Sequence, residues 1–373
     1  MTGPPALALG RLRVDPPVVL APRAGVTHAA FRSLCRTYGG GLSVSEMVMA
    51  RALVEDNART RRMVRFGADE TVRSVQLCGV DPAVVSAAVR CLVDEVGVDH
   101  VDLNFGCPAG KVTRKGGGAA LPAHPRLFAS IVGAAVRAAG EVPVTVKLRL
   151  GIDDARPTAT ASALAAEAAG AAGVTLHART AEQLYAGRAD WEAIARLKAA
   201  VRTIPVLGNG DVWEADDAVR MLAETGCDGV VVGRGCLGRP WLFGELSAAL
   251  AGRPVPGPPD LREVVAVMGR HAAALAEVLG ETRAVLDFRK HAGWYLAGFP
   301  VGRAIRARLA SAGTLAELAG WLAEVAGLGL PPAPPVPRGP VHGPRRVALP
   351  DGWMETADDP SPPVGAEAFV SGG

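Results

Sequence analysis

The residue types best suited to chemistry gather in the stretch 101–121, VDLNFGCPAGKVTRKGGGAAL. An apolar run ending at Asn104 leads at once into a loop carrying Cys107 before Pro108, then Lys111, Arg114 and Lys115, then Gly116, Gly117 and Gly118. Most free cysteines are buried packing. A thiol on a loop at a strand's end, beside cations, suits catalysis instead, with proline fixing the near turn and the glycines loosening the far end. Further polar residues recur at the ends of apolar runs: Pro22-Arg23-Ala24, Gln76, Lys147 with Arg149, His177 with Arg179, Asn209-Gly210-Asp211 and Gly233-Arg234. Taken singly, His177 reads as a core histidine, Lys147 as a surface residue and Gln76 as a cap. Their recurrence asks for an architecture that brings strand ends to one rim.

The elements that could do so are regular. Strand-like runs lie at 18–22, 42–46, 73–79, 100–106, 142–150, 173–179, 204–210 and 229–235. Helix-like stretches at 29–38, 50–64, 82–96, 125–139, 158–172, 191–201, 214–225 and 241–251 follow them in turn. Apolar residues there recur at helical spacing, and Asp81-Pro82 and Asp190-Trp191 read as starts. Eight strand-helix repeats predict an α/β fold, a (β/α)8 TIM barrel, over the count expected of a doubly wound sheet. A barrel collects its active site at the C-terminal strand ends, where these polar residues fall. Gly233 to Gly238 matches GxGxxG, but no strand follows to complete a dinucleotide-binding unit. In a barrel, glycines after the seventh and eighth strands (Gly208, Gly210, Gly233, Gly235), with Arg234, predict a phosphate site, and FMN is the leading candidate.

Composition narrows the rest. A net charge of +3 over 373 residues is too small to establish a polyanionic partner. The six cysteines show no CxxC pairing, so neither a metal site nor a disulfide framework is expected. The opening lacks a signal peptide's apolar core and no uninterrupted apolar span has membrane length, so a cytoplasmic protein with no membrane contact is expected. The predicted barrel occupies 1–252, a Pro/Gly-rich linker 253–260 and an all-helical domain 261–327. Residues 261–310 hold eight Lys/Arg against four acids, with Arg289 and Lys290 beside Trp294 and Tyr295. That reads as a solvated face or as contact with a phosphate backbone. The proline-rich tail 328–373 predicts disorder.

The chain resembles the tRNA-dihydrouridine synthases, most closely the bacterial type B group. The resemblance spans about 10–325 and rests on APRAGVTHAAFR (21–32), SVQLCG (74–79), VDLNFGCPAGKV (101–112), VTVKLRLG (144–151), LHARTAEQLYAGRADW (176–191), PVLGNGD (205–211), VVGRG (231–235) and RKHAGWY (289–295). The family usually has methionine where this chain has Arg23. The resemblance implies FMN reduced by NADPH or NADH, saturation of the C5=C6 bond of a tRNA uridine, and a helical domain that binds tRNA; a monomer is expected. It implies flavin contacts from Pro22, Arg23, Ala24, Gln76, Lys147, His177, Asn209, Gly210, Asp211, Gly233 and Arg234. It places Asn104 on the uracil edge, Arg179 and Tyr185 on the substrate side, and Arg289 and Lys290 on the tRNA. Hydride added at C6 leaves C5 to be protonated, and a thiol with an ordinary pKa near 8.5 is neutral enough at pH 7 for Cys107 to be that acid. Two other readings stand beside this one: an FMN barrel acting on a free pyrimidine, and a non-catalytic RNA-binding barrel.

Overall fold

Each apolar run is bounded by turn formers and backed by a helix face that buries it, so the runs pair side by side rather than fold back on themselves. The computed structural model describes residues 4–334, 336 and 343–366. An antiparallel hairpin comes first, β1 (Leu7–Leu9) on β2 (Leu12–Val14). Parallel strands follow: β3 (Val18–Leu20), β4 (Leu42–Met49), β5 (Ser74–Cys78), β6 (His100–Phe105), β7 (Val144–Arg149), β8 (Gly173–His177), β9 (Val206–Asn209) and β10 (Gly229–Val232). β10 pairs with both β9 and β3 and closes a barrel. This is the expected (β/α)8 arrangement; a doubly wound sheet would keep two open edges.

Most helices begin and end where capping chemistry dictates. The Asp81 carboxylate accepts from the Ala83 and Val84 amides to start Pro82–Arg90, and Asp190 accepts from Ala193 to start Trp191–Ala200. The stretch 50–64 is two helices, Ala50–Val54 and Ala58–Met63, rather than one. Asn57 divides them, because its Oδ1 takes the amides of Arg59 and Thr60 at 3.1 Å as an N-cap. Likewise 82–96 passes from α-helix into a π turn at Cys91–Val96 and stops at Gly97, whose φ of +70° only glycine adopts easily.

The hairpin plugs one end of the barrel. Leu7, Leu9 and Val14 pack with Val19, Val44, Leu207 and Val231. A Cβ at Gly173, the first residue of β8, would lie 2.8 Å from Leu9, so the plug sits at the N-terminal strand ends. Above it a buried polar chain crosses three strands. The Ser74 hydroxyl meets His100 Nδ1 at 2.7 Å, His100 Nε2 meets the Thr145 hydroxyl at 2.9 Å, and Thr145 and Gln76 both donate to Asp102 at 2.7 Å. Because Thr145 donates to Asp102 it accepts from Nε2–H, which leaves Nδ1 to accept from Ser74. Burial holds His100 neutral, down to about 3, and pushes the Asp102 carboxyl up to about 6 against the pull of Thr145 and Gln76.

After the barrel, the helices Leu261–Leu279, Glu281–Tyr295, Arg303–Ser311 and Leu315–Gly327 form a second core with Ala30 and Leu34 of the first barrel helix. Asp260 and Glu263 open it with a reciprocal capping box. Val264, Met268, Leu275, Phe288 and Tyr295 are almost wholly buried, each contributing about 1.5 to 3 kcal/mol of apolar burial. Gly238 lets this unit close on the barrel, since a Cβ there would lie 2.3 Å from the Trp294 backbone. Of the proline-rich stretch for which composition predicts disorder, residues 343–366 lie against the barrel with Trp353 buried. The expectation for 335, 337–342 and 367–373 falls outside the described residues. Among the described residues no helix is long and apolar enough to cross a membrane.

Candidate functional site

The barrel register sets the rim. Asn104 pairs with Lys147, and two residues further along β7 Arg149 pairs with His177, which pairs in turn with Asn209, so four strands present polar residues near their C-terminal ends. These ends line a cavity of about 930 Å³, within the usual size for a cofactor or small-molecule site. Its lining holds eight cations (Arg23, Arg59, Lys111, Lys147, Arg149, Arg179, Arg234, Arg345) against two carboxylates, Glu46 and Asp211. The carboxylates are already engaged. Glu46 accepts from the Gly25 amide, and Asp211 takes Arg179 at 2.7 Å and Arg234 at 3.3 Å. Positive charge is therefore left over, and two buried guanidinium nitrogens of the lining, Arg23 Nε and Arg179 Nη1, have no partner among the described residues. A site built this way suits an anionic ligand.

Two cations are held with particular care. The Arg234 guanidinium lies 4.6 Å from the Tyr185 ring centroid and 5.0 Å from that of Trp213, packed between two aromatic faces. Lys147 donates to Asn209 at 2.7 Å, and Asn209 in turn donates to the Val231 carbonyl. Burial pulls Lys147 down to about 7, against the opposing pull of Asp102. His177 beside it is kept neutral, first by burial and then by Arg149 and Lys147. The glycines of the rim serve different ends. A Cβ at Gly233 would have nothing nearer than 3.7 Å, so its backbone is open to the cavity, whereas one at Gly235 would lie 2.2 Å from the Val212 carbonyl, a close packing of two loops. Gly208, grouped by sequence with the phosphate glycines, faces Met221 and Cys227 instead.

The Cys107 loop is tied down from its base. Asn104 Nδ2 donates to Gln76 at 2.8 Å, while Asn104 Oδ1 accepts the amides of Gly106 at 3.2 Å and Cys107 at 2.9 Å. The interior polar chain thus continues through Gln76 and Asn104 to the backbone of the cysteine. Arg149 laces the loop to its neighbour, donating to the carbonyls of Gly106, Thr180 and Leu184 at 2.8 to 2.9 Å. The Cys107 thiol is raised by burial, only partly offset by the Ala109 amide, Arg149 and Lys111, so it is protonated at neutral pH. A proton donor beside a cationic pocket can protonate a carbon on which charge develops.

All the residues the sequence placed at the flavin line this cavity: Pro22, Arg23, Ala24, Gln76, Lys147, His177, Asn209, Gly210, Asp211, Gly233 and Arg234. So do Cys107, Asn104, Arg179 and Tyr185. Arg289 and Lys290 do not. Arg289 donates to Ala312 across 3.3 Å, and Lys290 pairs with Asp287 at 2.6 Å, close to Gly25 at the rim's outer edge. The sequence reading missed Met47 and Met49, which reach the wall because a bulge between Val44 and Met47 carries β4 past Glu46. It also missed Arg345, for which no motif could have spoken. Away from the cavity, the described residues bring His28, His271 and His291 together, their ring nitrogens within 4.8 Å, at the seam between the barrel and the helices.

Comparison with known proteins bears on this site. The family described as "Dihydrouridine synthase (Dus)" matches residues 19–325. A "Probable tRNA-dihydrouridine synthase" of Mycobacterium tuberculosis is 54% identical over 379 residues, covering 99% of this chain and 97% of its own length. The "tRNA-dihydrouridine synthase B" of Pseudomonas aeruginosa is 42% identical over 293 residues, covering 78% of this chain and 87% of its own. Among solved structures, a 2-naphthoyl-CoA reductase complex matches with TM-score 0.52 at 13% identity, covering 67% of this chain and 52% of that one, a likeness of fold alone.

Proposed function

The chain belongs to the dihydrouridine synthase family, and from that premise we propose that it binds FMN in the barrel mouth, takes electrons from NADPH or NADH, and reduces the C5=C6 bond of a uridine in tRNA. The observation that carries this reading is a protonated thiol, Cys107, fixed at the edge of a pocket whose cations outnumber its acids. The pocket fits FMN on its own chemistry. The unpartnered nitrogens of Arg23 and Arg179 and the open backbone at Gly233 await an anion. Arg234, with the backbone of Gly233, Gly210 and Asp211, would hold the phosphate end, while Pro22, Ala24, Gln76, His177 and Asn209 would wall the ring. Lys147 would hold its anionic edge. Held there, the flavin would supply hydride chemistry toward C6 of the uracil.

The protein's own groups do the rest. Asn104 keeps one amide hydrogen beyond its bond to Gln76 and can offer it to the uracil edge. Arg179 and Tyr185 flank the same mouth on the substrate side. Cys107 holds at Sγ the proton that C5 receives, and burial keeps it there until charge develops. Arg289 and Lys290 lie outside the cavity on the helix Glu281–Tyr295, where tRNA phosphates would pass as a uridine is drawn into the barrel. The test is Cys107→Ala, assayed in two halves. Flavin absorbance and its bleaching by NADPH should persist while dihydrouridine formation in tRNA falls at least a hundredfold. Turnover of tRNA at the normal rate would remove the acid role, and rapid reduction of free uracil would transfer the function to a pyrimidine enzyme.

A further inference from the structure

The loop that carries Cys107 is held at its far end by the C-terminal stretch. There the Ala119 amide donates to the Cys107 carbonyl at 3.0 Å, closing the loop on itself. One residue on, the Ala120 carbonyl accepts the indole N–H of Trp353, also at 3.0 Å. Trp353 is 5% exposed, its ring lies on the His124 imidazole with centroids 3.6 Å apart, and its carbonyl is met by His124 Nε2 at 2.7 Å. The loop is shaped for this visitor. Gly116 has φ +74°, and a Cβ there would lie 2.6 Å from the Trp353 ring, while one at Gly118 would lie 2.5 Å from the Cys107 carbonyl. Leu349 and Met354 pack against the same core on either side of the tryptophan. Upstream, the Arg345 amide donates to the Glu182 carbonyl at 2.8 Å, and the Arg345 side chain lines the cavity. The stretch therefore spans from the loop after β8 to the loop after β6, touching both sides of the mouth.

We propose that residues 343–354 are a strap that fixes the Cys107 loop in its protonating position through Trp353, and that Arg345 adds a phosphate contact for the tRNA at the mouth. The proposal rests on the tRNA-reductase reading for its consequence, though its structural half stands apart from it. Trp353 touches no reacting atom, so it is a positioning residue, acting through Ala120 and Ala119 on Cys107. Misplacing a catalytic group by about 1 Å can cost on the order of a hundredfold in rate. Removing the indole also takes a donor away from the buried Ala120 carbonyl, which loosens the loop rather than the barrel.

The experiment compares the full-length holoprotein with Trp353→Ala, Trp353→Phe and Arg345→Glu. Iodoacetamide labelling is followed at each cysteine by mass spectrometry, and single-turnover tRNA reduction is measured beside flavin reduction by NADPH. In W353A, Cys107 should label at least tenfold faster while the buried Cys35, Cys78, Cys227 and Cys236 stay silent. Flavin reduction should be unchanged, and tRNA reduction should slow ten- to a hundredfold. W353F keeps an aromatic ring but loses the donor to Ala120 with part of the packing, so it should fall between; if W353A unfolds, shown by all the buried cysteines labelling, W353F carries the test. R345E should raise KM for tRNA several-fold. Wild-type labelling of Cys107 in both tryptophan variants would overturn the strap, and unchanged KM in R345E would overturn the phosphate contact. Because labelling needs no tRNA, failure of the strap is read separately from failure of the reductase reading.

Discussion

If Lys147 meets an anionic ligand, flavin affinity must depend on pH in a calculable way. In the ligand-free protein burial pulls this lysine from 10.5 to about 7, which corresponds to roughly 4 to 5 kcal/mol of disfavour for its charge. A bound anion returns part of that, so binding takes up a proton wherever the free lysine is neutral. Asp102, at about 6, is already ionised above pH 7 and does not titrate in the window. A phosphate monoester with its second pKa near 6 is doubly charged there as well. The expected result is an FMN affinity that falls with rising pH, approaching tenfold per unit, or about fifteenfold between pH 7 and 8.5. Lys147→Met should bind FMN more weakly at pH 7 and lose the slope. Because the flavin ring is anionic at that edge only when reduced, anaerobic titration of apoprotein with dithionite-reduced FMN at several pH values measures both. A flat wild-type profile, or an equal slope in K147M, would refute the assignment of Lys147 to the ligand's charge.

Three further outcomes are expected. Arg234→Ala removes a cation held between Tyr185 and Trp213 but leaves Asp211 paired with Arg179, so the fold should stand while FMN binds roughly tenfold or more weaker, at about 1.5 to 3 kcal/mol for a charge-assisted bond; unchanged affinity in the same titration would misplace the phosphate. Four buried histidines, His100, His177, His271 and His291, are held below their ordinary value by burial, so the unfolded chain binds their protons first and stability falls as pH drops below 6.5. Asp102, raised, opposes with most of one proton; the net slope is on the order of 4 kcal/mol per pH unit near pH 5.5, read from urea denaturation of flavin-free protein, and equal stability at pH 7 and 5.5 would contradict it. Changing Arg289 and Lys290 together to alanine should flatten the log-log salt dependence of tRNA affinity by about 1.4 to 1.8 while leaving flavin reduction intact; an unaltered slope in filter binding would free both from the tRNA.

The legibility of this chain in its sequence follows the range of the forces involved. The barrel could be read because each strand is a local apolar run stopped by glycine or proline, and Gly173 or Gly229 marks its strand's start without help from elsewhere. The rim could be read for the same reason, since a residue such as Asn104 or Asn209 sits at or next to its strand's end whatever the neighbours do. What depends on register or on distant partners could not. The bulge in β4 that brings Met47 and Met49 to the wall is a pairing feature, and Arg149 gains its lacing role only because Thr180 and Leu184 arrive from the next loop. The three seam histidines come from one helix cap, His28, and two other helices.

The C-terminal stretch carries this point furthest. Its composition predicts disorder because few apolar residues are present to offset the entropy of ordering, about 1 to 2 kcal/mol for each backbone residue fixed. Composition averages over position, however, and docking does not. Leu349, Trp353 and Met354 fall together, and the tryptophan brings both a large apolar face for His124 and a donor for the Ala120 carbonyl. Proline works in the same direction. Pro344 and Pro350, with φ already fixed, have less freedom to lose than other residues, so the prolines that make the segment read as unstructured also lower the cost of laying it across the barrel.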